Sequence, residues 1–105
     1  MVKGWLRDTA KALLELGWDG TREDIINEFQ RNPLLYPQAS DTIARFGVTQ
    51  AHYSMNGTFS RHSSTGSYKD KNKQIIFRHL DGDREGNKGH WELIFYDKNW
   101  NKKLD

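Results

Sequence analysis

The chain has no cysteine, only two proline residues and no long apolar run among its 105 residues. Without cysteine there can be no disulfide framework and no zinc site built on thiolates. No stretch approaches the roughly 20 apolar residues that a membrane-spanning helix needs. The N-terminal residues also lack the apolar run and the small-residue cleavage site of a secretory signal. We therefore expect a cytoplasmic protein with no membrane partner.

The length of the chain predicts a single domain. A core of this size leaves little room for a large enclosed active site. Four Trp, four Tyr and five Phe residues can supply the aromatic side chains of that core. We expect one domain over residues 1–105, with its core at about 5–96 and a charged tail at 97–105.

The charge of the chain is close to neutral but unevenly distributed. Before residue 61, six Lys and Arg face seven Asp and Glu; from residue 61 onward, ten face seven. The net charges of these two parts are therefore −1 and +3. A basic excess in the second part is weak support for a nucleic-acid partner.

Apolar residues at helical spacing predict a first helix over residues 5–16, which ends at Gly17. Thr21 has the character of the N-cap of a second helix, because Asp24 follows three residues later in a shortened capping box. The Asn-Pro pair at residues 32–33 ends that second helix.

The segments between and after these helices are harder to interpret. Residues 18–20 are predicted as a turn, and residues 33–47 as an irregular connection with a short helix at 41–46. A third helix is predicted over residues 49–62, with Thr49 as its N-cap.

The remainder of the chain predicts a β-hairpin. Residues 74–80 and 90–96 are rich in β-branched and aromatic side chains, and a segment dense in Gly, Asp and Asn at 81–89 joins them. Three helices followed by a hairpin predict an α+β fold of the winged helix-turn-helix type. In that fold the third helix lies in the DNA major groove and the hairpin forms the wing.

A family resemblance supports this interpretation. The sequences Arg-His-Ser-Ser-Thr-Gly-Ser-Tyr at 61–68, Ile-Phe at 76–77 and Gly-His-Trp-Glu-Leu at 89–93 resemble winged-helix modules related to the HARE-type helix-turn-helix, which are often attached to restriction-type endonucleases. The resemblance covers about residues 5–95 and implies a DNA-binding or DNA-scanning role in a bacterial or phage defence system. The connection at 33–47 departs from the layout of these modules. Because no nuclease domain is attached, a targeting role would need a partner such as a nuclease subunit.

Polar side chains on the predicted third helix are the main candidates for contact with double-stranded DNA. Gln50 and Asn56 can pair with adenine, and Arg61 can pair with guanine. Tyr53 and Ser54 can reach phosphates. The alternative is an ordinary solvated helix face.

A second group of candidates lies around the hairpin. These basic side chains would hold phosphates and make the affinity depend on salt. The alternative is that they only keep the loops soluble, since acidic residues are interspersed among them. The group consists of Lys69, Lys71, Lys73, Arg84 and Lys88.

Two further positions have both a structural and a DNA-binding interpretation. The His-Ser-Ser sequence at 62–64 is expected mainly to finish the third helix, with phosphate contact by Ser63 as the alternative. Trp91 is expected to anchor a hairpin strand in the core, and its alternative is an aromatic wall for a flipped base.

No pattern in the chain predicts a metal, a cofactor or catalysis. Residues 81–92 match the spacing of a calcium-binding EF-hand loop, but the flanks are predicted strands and Lys88 stands where the loop needs an apolar residue. The four histidines are spread widely and lack zinc-binding spacing. His90 and Glu92 share a strand face without a nucleophile beside them. We therefore expect that the protein is not an enzyme.

A different class of function stays open. A short winged helix can serve as a protein–protein interaction module, or as a small phage-type inhibitor of a defence enzyme. An exposed apolar patch at residues 34–36 or at Trp100 would favour that role. A continuous basic face on the third helix and the wing would favour DNA.

Overall fold

The computed structural model describes residues 4–63, 76–80 and 89–94. This part of the chain folds as an α+β structure with four α-helices and a small three-stranded antiparallel sheet. The α+β class is therefore confirmed, and the described residues hold four helices because the short helix expected at 41–46 is a longer one. The elements are α1 (Gly4–Glu15), β1 (Asp19–Thr21), α2 (Arg22–Arg31), a short 3-10 helix (Pro33–Leu35), α3 (Pro37–Phe46), α4 (Val48–Arg61), β2 (Phe77–His79) and β3 (His90–Leu93).

The sheet has the strand order β1-β3-β2, so β3 lies in the middle. Gly20 of β1 pairs with Trp91, and Arg78 of β2 pairs with Glu92. The turn predicted at residues 18–20 is thus wrong for Asp19 and Gly20. Three residues are too few to show the alternation of a strand, and the partners of β1 lie far along the chain.

The ends of the first two helices follow the sequence prediction. After α1, Gly17 has the positive φ of 90° that favours glycine at a helix end. Thr21 caps α2 through a reciprocal pair of hydrogen bonds with Asp24. The Asp24 amide donates to Thr21 Oγ1 and the Thr21 amide donates to Asp24 Oδ2, each over 3.0 Å. The predicted capping box is confirmed.

The segment at 33–47 is more regular than predicted. It contains the 3-10 helix and all of α3, which begins at Pro37 rather than at residue 41. Proline suits the first position of a helix because its missing N–H would have no partner there. The Ala39 amide is capped from a distance: it donates to Asp8 Oδ2 over 2.9 Å. A cap supplied by α1 leaves no local sequence signal.

The core lies where α1, α2 and α4 meet the sheet. Ala51, Met55 and Phe59 on α4 are buried, as their spacing predicts. The Phe59 ring stacks on Trp91 with centroids 4.2 Å apart and packs edge-on against Phe77 at 4.9 Å. Trp91 is therefore a core residue, in agreement with its structural interpretation.

The strands of the predicted hairpin are shorter than expected within the described residues. β2 and β3 fall inside the predicted ranges 74–80 and 90–96. The His62 carbonyl accepts hydrogen bonds from the amides of Ile76 and Phe77, over 2.9 and 3.1 Å, and so ties the end of α4 to β2. The tip at 81–88 and the predicted tail at 97–105 lie outside the described residues.

Candidate functional site

The exposed side of α4 forms one wall of an open groove with a volume of about 470 Å³, which we call the α4 groove. All five predicted DNA-contacting residues of the helix line it. α4 reaches this position because its apolar stripe is buried against the core, which turns the polar side outward. The lining residues are Trp5, Gln50, Tyr53, Ser54, Asn56, Gly57, Thr58, Ser60 and Arg61.

Two aromatic side chains line this groove. Trp5, near the start of α1, packs edge-on against Phe29, with ring centroids 6.0 Å apart. Tyr53 is 74% exposed, unusually high for a large aromatic side chain. Tyr53 is among the residues predicted from the sequence, but Trp5 is not, because nothing in the sequence indicates that α1 and α4 line a common groove.

The polar lining of the groove includes an oxygen atom without a partner. Asn56 Oδ1 is buried and accepts no hydrogen bond from the residues that the structure describes. An unsatisfied buried acceptor costs about 1–3 kcal/mol. Gln50 and Arg61, both exposed, add donor groups to the lining.

Gly57 forms an open part of the same lining. It lies inside α4, where glycine costs about 1 kcal/mol relative to alanine. A Cβ atom added at Gly57 would meet no heavy atom within 4 Å among its described neighbours. Packing within the described part of the protein therefore gives no reason for glycine at this position.

The described part of α4 does not form the continuous basic face that would favour DNA, but it also carries no acidic side chain. The sequence has no acidic residue between Asp41 and Asp70, an interval that includes all of α4. His52 on α4 contributes no charge at neutral pH. Burial lowers its pKa below the usual 6.5, and the nearby Arg22 cation lowers it further, whereas Glu23 acts in the opposite direction. Positive charge on α4 thus comes from Arg61 in its last turn.

Ser63 lies apart from these helix residues. It is buried, at 5% exposure, and forms an isolated bridge with Phe77. Its hydroxyl is therefore not on the exposed face of α4, and a direct phosphate contact would need the chain around it to move. The structural interpretation of the residues that follow α4 fits this position better.

The predicted hairpin contacts lie outside the described residues. These are Lys69, Lys71, Lys73, Arg84 and Lys88, and their role stays a prediction. Most of the calcium-loop pattern, at 81–88, also falls there. Among residues 4–63, 76–80 and 89–94, no group of three or more His, Asp or Glu side chains could hold a metal ion.

Arg22 is a buried cation that belongs to none of the motifs predicted from the sequence. Its guanidinium carbon lies 5.6 Å from the ring centroids of both Phe59 and Trp91. Gly89 packs closely here, because a Cβ atom added to it would lie only 2.7 Å from Arg22 Nη1 and 2.9 Å from Trp91 Nε1. Arg22 thus joins the start of α2 to the sheet through its contacts with aromatic rings.

Buried polar groups at two places link α1, α2 and α3, and we call them together the polar clamp. They are Asp8, which bonds to α3, and the pair formed by Glu28 and Tyr36. The Tyr36 hydroxyl donates to Glu28 Oε2 over 2.7 Å, and Asn32 Nδ2 donates to the same oxygen over 3.1 Å. Arg31 also pairs with Glu28, and Arg7 Nη1 pairs with Asp8 over 3.1 Å.

The environment of the clamp shifts the pKa values of Glu28 and Tyr36. Burial alone would raise the pKa of Glu28. Hydrogen bonds from Tyr36, Arg31 and Asn32 outweigh that effect, so the pKa falls below its usual 4.5. Burial, together with the Glu28 carboxylate, raises the pKa of the Tyr36 hydroxyl well above its usual 10. Both groups form hydrogen bonds within the fold and are therefore poor candidates for ligand binding.

Comparisons with known proteins do not assign this chain to a family. No protein-family model matches it, and no curated protein or solved structure is similar to it. The resemblance to HARE-type modules therefore stays a prediction. Within the described residues, none of the helices has the length and apolar character needed to cross a membrane.

Proposed function

We propose that the protein binds double-stranded DNA through the α4 groove. One observation carries this proposal: Gln50, Tyr53, Ser54, Asn56 and Arg61 line a single groove on a helix without acidic residues. Amide and guanidinium side chains on an exposed helix can read base edges in the major groove. The absence of carboxylates from α4 removes a source of repulsion between the helix and phosphates.

We also propose that the fold is a winged helix in which α4 is the recognition helix. The element order supports this, because α4 is the last helix before the paired strands β2 and β3. The small antiparallel sheet beside a helical core is compatible with the same fold. α3 would then be an additional helix between α2 and the recognition helix. The segment between β2 and β3 would form the wing.

The cellular role that we propose rests on the family resemblance alone. The protein would be a cytoplasmic, non-enzymatic module that directs a restriction or defence enzyme to DNA, with a nuclease subunit as its protein partner. Sensitivity to a modified base belongs to the same proposal.

A fluorescence-anisotropy titration tests DNA binding. A labelled mixed-sequence duplex is titrated with protein at several salt concentrations, and affinity should fall steeply as salt increases. Arg61→Ala and Gln50→Ala should each weaken binding, by about 1–3 kcal/mol if the side chain contacts a base. Lys11→Ala is the matched control, because Lys11 pairs with Glu15 on α1 and does not line the groove.

The outcomes of this titration are distinct. Weaker binding by both groove variants, with the control at wild-type affinity, supports the proposal. No binding at low salt would exclude duplex DNA as the ligand. Binding that neither groove variant changes would place the contact elsewhere on the protein.

The alternative function is protein–protein interaction, and Leu34 favours it. This side chain is 96% exposed, and Leu35 beside it is 39% exposed, whereas Tyr36 is fully buried. A second groove, of about 320 Å³, lies nearby between α2 and α3, and Pro33 and Ile43 are among its lining residues. Light scattering over a range of protein concentrations tests self-association at this surface, and Leu34→Ser should abolish it.

A further inference from the structure

The α4 groove has features that are not needed to read base edges in an intact duplex. Reading a base edge needs hydrogen-bonding side chains on the helix. The groove adds the aromatic side chains of Trp5 and Tyr53 and an open position at Gly57. Aromatic rings bind the flat face of a nucleobase, which is accessible only when the base leaves the duplex stack.

The open position at Gly57 is the first argument for an inserted group. Alanine in place of Gly57 would stabilise α4 locally, and the described neighbours leave room for its Cβ atom. Such a side chain would, however, occupy the space beside the helix backbone. Glycine at this position therefore keeps the groove open for close approach of a ligand.

The hydrogen-bonding capacity of the groove is the second argument. Gln50, Ser54 and Arg61 bring hydrogen-bonding groups to its lining. An unpaired nucleobase carries N–H groups that its partner base would otherwise occupy. Gln50 adds an amide that can both donate and accept at the base edge, and Arg61 can pair with the adjoining phosphate.

We propose that the α4 groove holds a single unpaired nucleobase presented by DNA. The base lies against Trp5 and Tyr53 and passes over Gly57, with its hydrogen-bonding edge toward Gln50. The groove volume of about 470 Å³ falls in the range of roughly 300–1,000 Å³ that is common for sites of small ligands. This inference rests on the proposed function, since the DNA strand must bring the base to the groove.

The test compares two labelled duplexes of the same sequence, one perfectly paired and one with a single bulged adenine, by fluorescence anisotropy at the same salt concentration. The wild-type protein should prefer the bulged duplex by about tenfold or more, from stacking of the extra base. Gly57→Leu should abolish this preference by filling the groove. Tyr53→Ala should reduce it by removing one ring.

Two controls separate loss of the site from loss of the fold. Gly57→Leu should retain a melting temperature at or above the wild-type value, because leucine is a good helix former and its Cβ atom meets open space. Asn27→Leu places the same side chain on the exposed side of α2, outside the groove, and should retain the preference.

Each remaining outcome is decisive. Equal affinity of the wild-type protein for the two duplexes would overturn the inference and leave duplex binding intact. A preference that Gly57→Leu does not change would also overturn it, because the base would then bind elsewhere. Failure to bind either duplex would overturn both the inference and the proposed function.

Discussion

The polar clamp and the α4 groove use similar side chains in opposite ways. In the clamp, the carboxylates of Asp8 and Glu28 accept hydrogen bonds from Ala39 and Tyr36, across different helices. In the groove, Asn56 Oδ1 accepts none from the described residues. Polar groups that are satisfied within the fold hold its helices together, whereas exposed side chains around a concave surface, such as Gln50 and Tyr53, can meet a ligand. Substitutions in the two regions should therefore affect different properties.

The largest effect is expected in the clamp. Glu28→Ala removes the acceptor of the Tyr36 and Asn32 hydrogen bonds and leaves the Tyr36 hydroxyl buried without a partner. The free energy of unfolding should fall by about 3 kcal/mol, the upper end of the range for loss of hydrogen bonds to a charged group. Urea denaturation followed by circular dichroism measures this change.

Weaker DNA binding by Glu28→Ala without a loss of stability would contradict the contrast between the polar clamp and the α4 groove. Fluorescence anisotropy measures the DNA affinity of the variant at a temperature where it is folded. This affinity should match that of the wild-type protein. A Glu28→Gln variant should recover part of the lost stability, because the amide oxygen can still accept the Tyr36 hydrogen bond.

A smaller effect is expected from acid. The pKa of Glu28 in the folded protein lies below its usual 4.5, so the unfolded state binds the proton more readily. The stabilisation from Glu28 is therefore fully present above about pH 4.5 and is lost as the pH falls through the lower, folded-state pKa. The free energy of unfolding, measured by denaturation between neutral and acid pH, should fall less steeply in Glu28→Gln. Identical pH profiles for the two proteins would contradict the role assigned to this carboxylate.

The smallest effect on stability is expected in the groove. Tyr53 is 74% exposed, so Tyr53→Ala should change the free energy of unfolding by no more than about 0.5 kcal/mol. The same variant should bind DNA more weakly, because it loses an aromatic contact. Thermal unfolding and anisotropy on one preparation measure both properties. A large loss of stability with unchanged affinity would assign Tyr53 to the fold instead of the site.

The parts of the fold that were predicted correctly from the sequence are those with local signals. The capping box of Thr21 and Asp24 lies within four consecutive residues, and it is present in the structure. The buried stripe of α4 repeats at helical spacing, although the predicted N-cap at Thr49 is wrong, because Gly47 precedes the helix and Val48 begins it. Such signals do not depend on the rest of the chain.

The parts that were missed depend on contacts between distant residues. α3 begins earlier than predicted, and Asp8 on α1 supplies its cap. Asp8 itself is buried, although a charged residue on an amphipathic helix is normally expected to face solvent. β1 pairs with β3 far along the chain, and Trp5 joins a groove otherwise formed by α4. The polar residues of the groove could be predicted from the sequence, but the concave surface that they line could not.

The most direct test of the central claim is a map of backbone amide chemical shifts as duplex DNA is added to isotopically labelled protein. We predict that the largest changes in chemical shift fall on Gln50–Arg61 and Trp5, with little change around Glu28 and Tyr36. Changes centred on Leu34, or no changes at low salt, would contradict the assignment of the α4 groove as the DNA-binding surface.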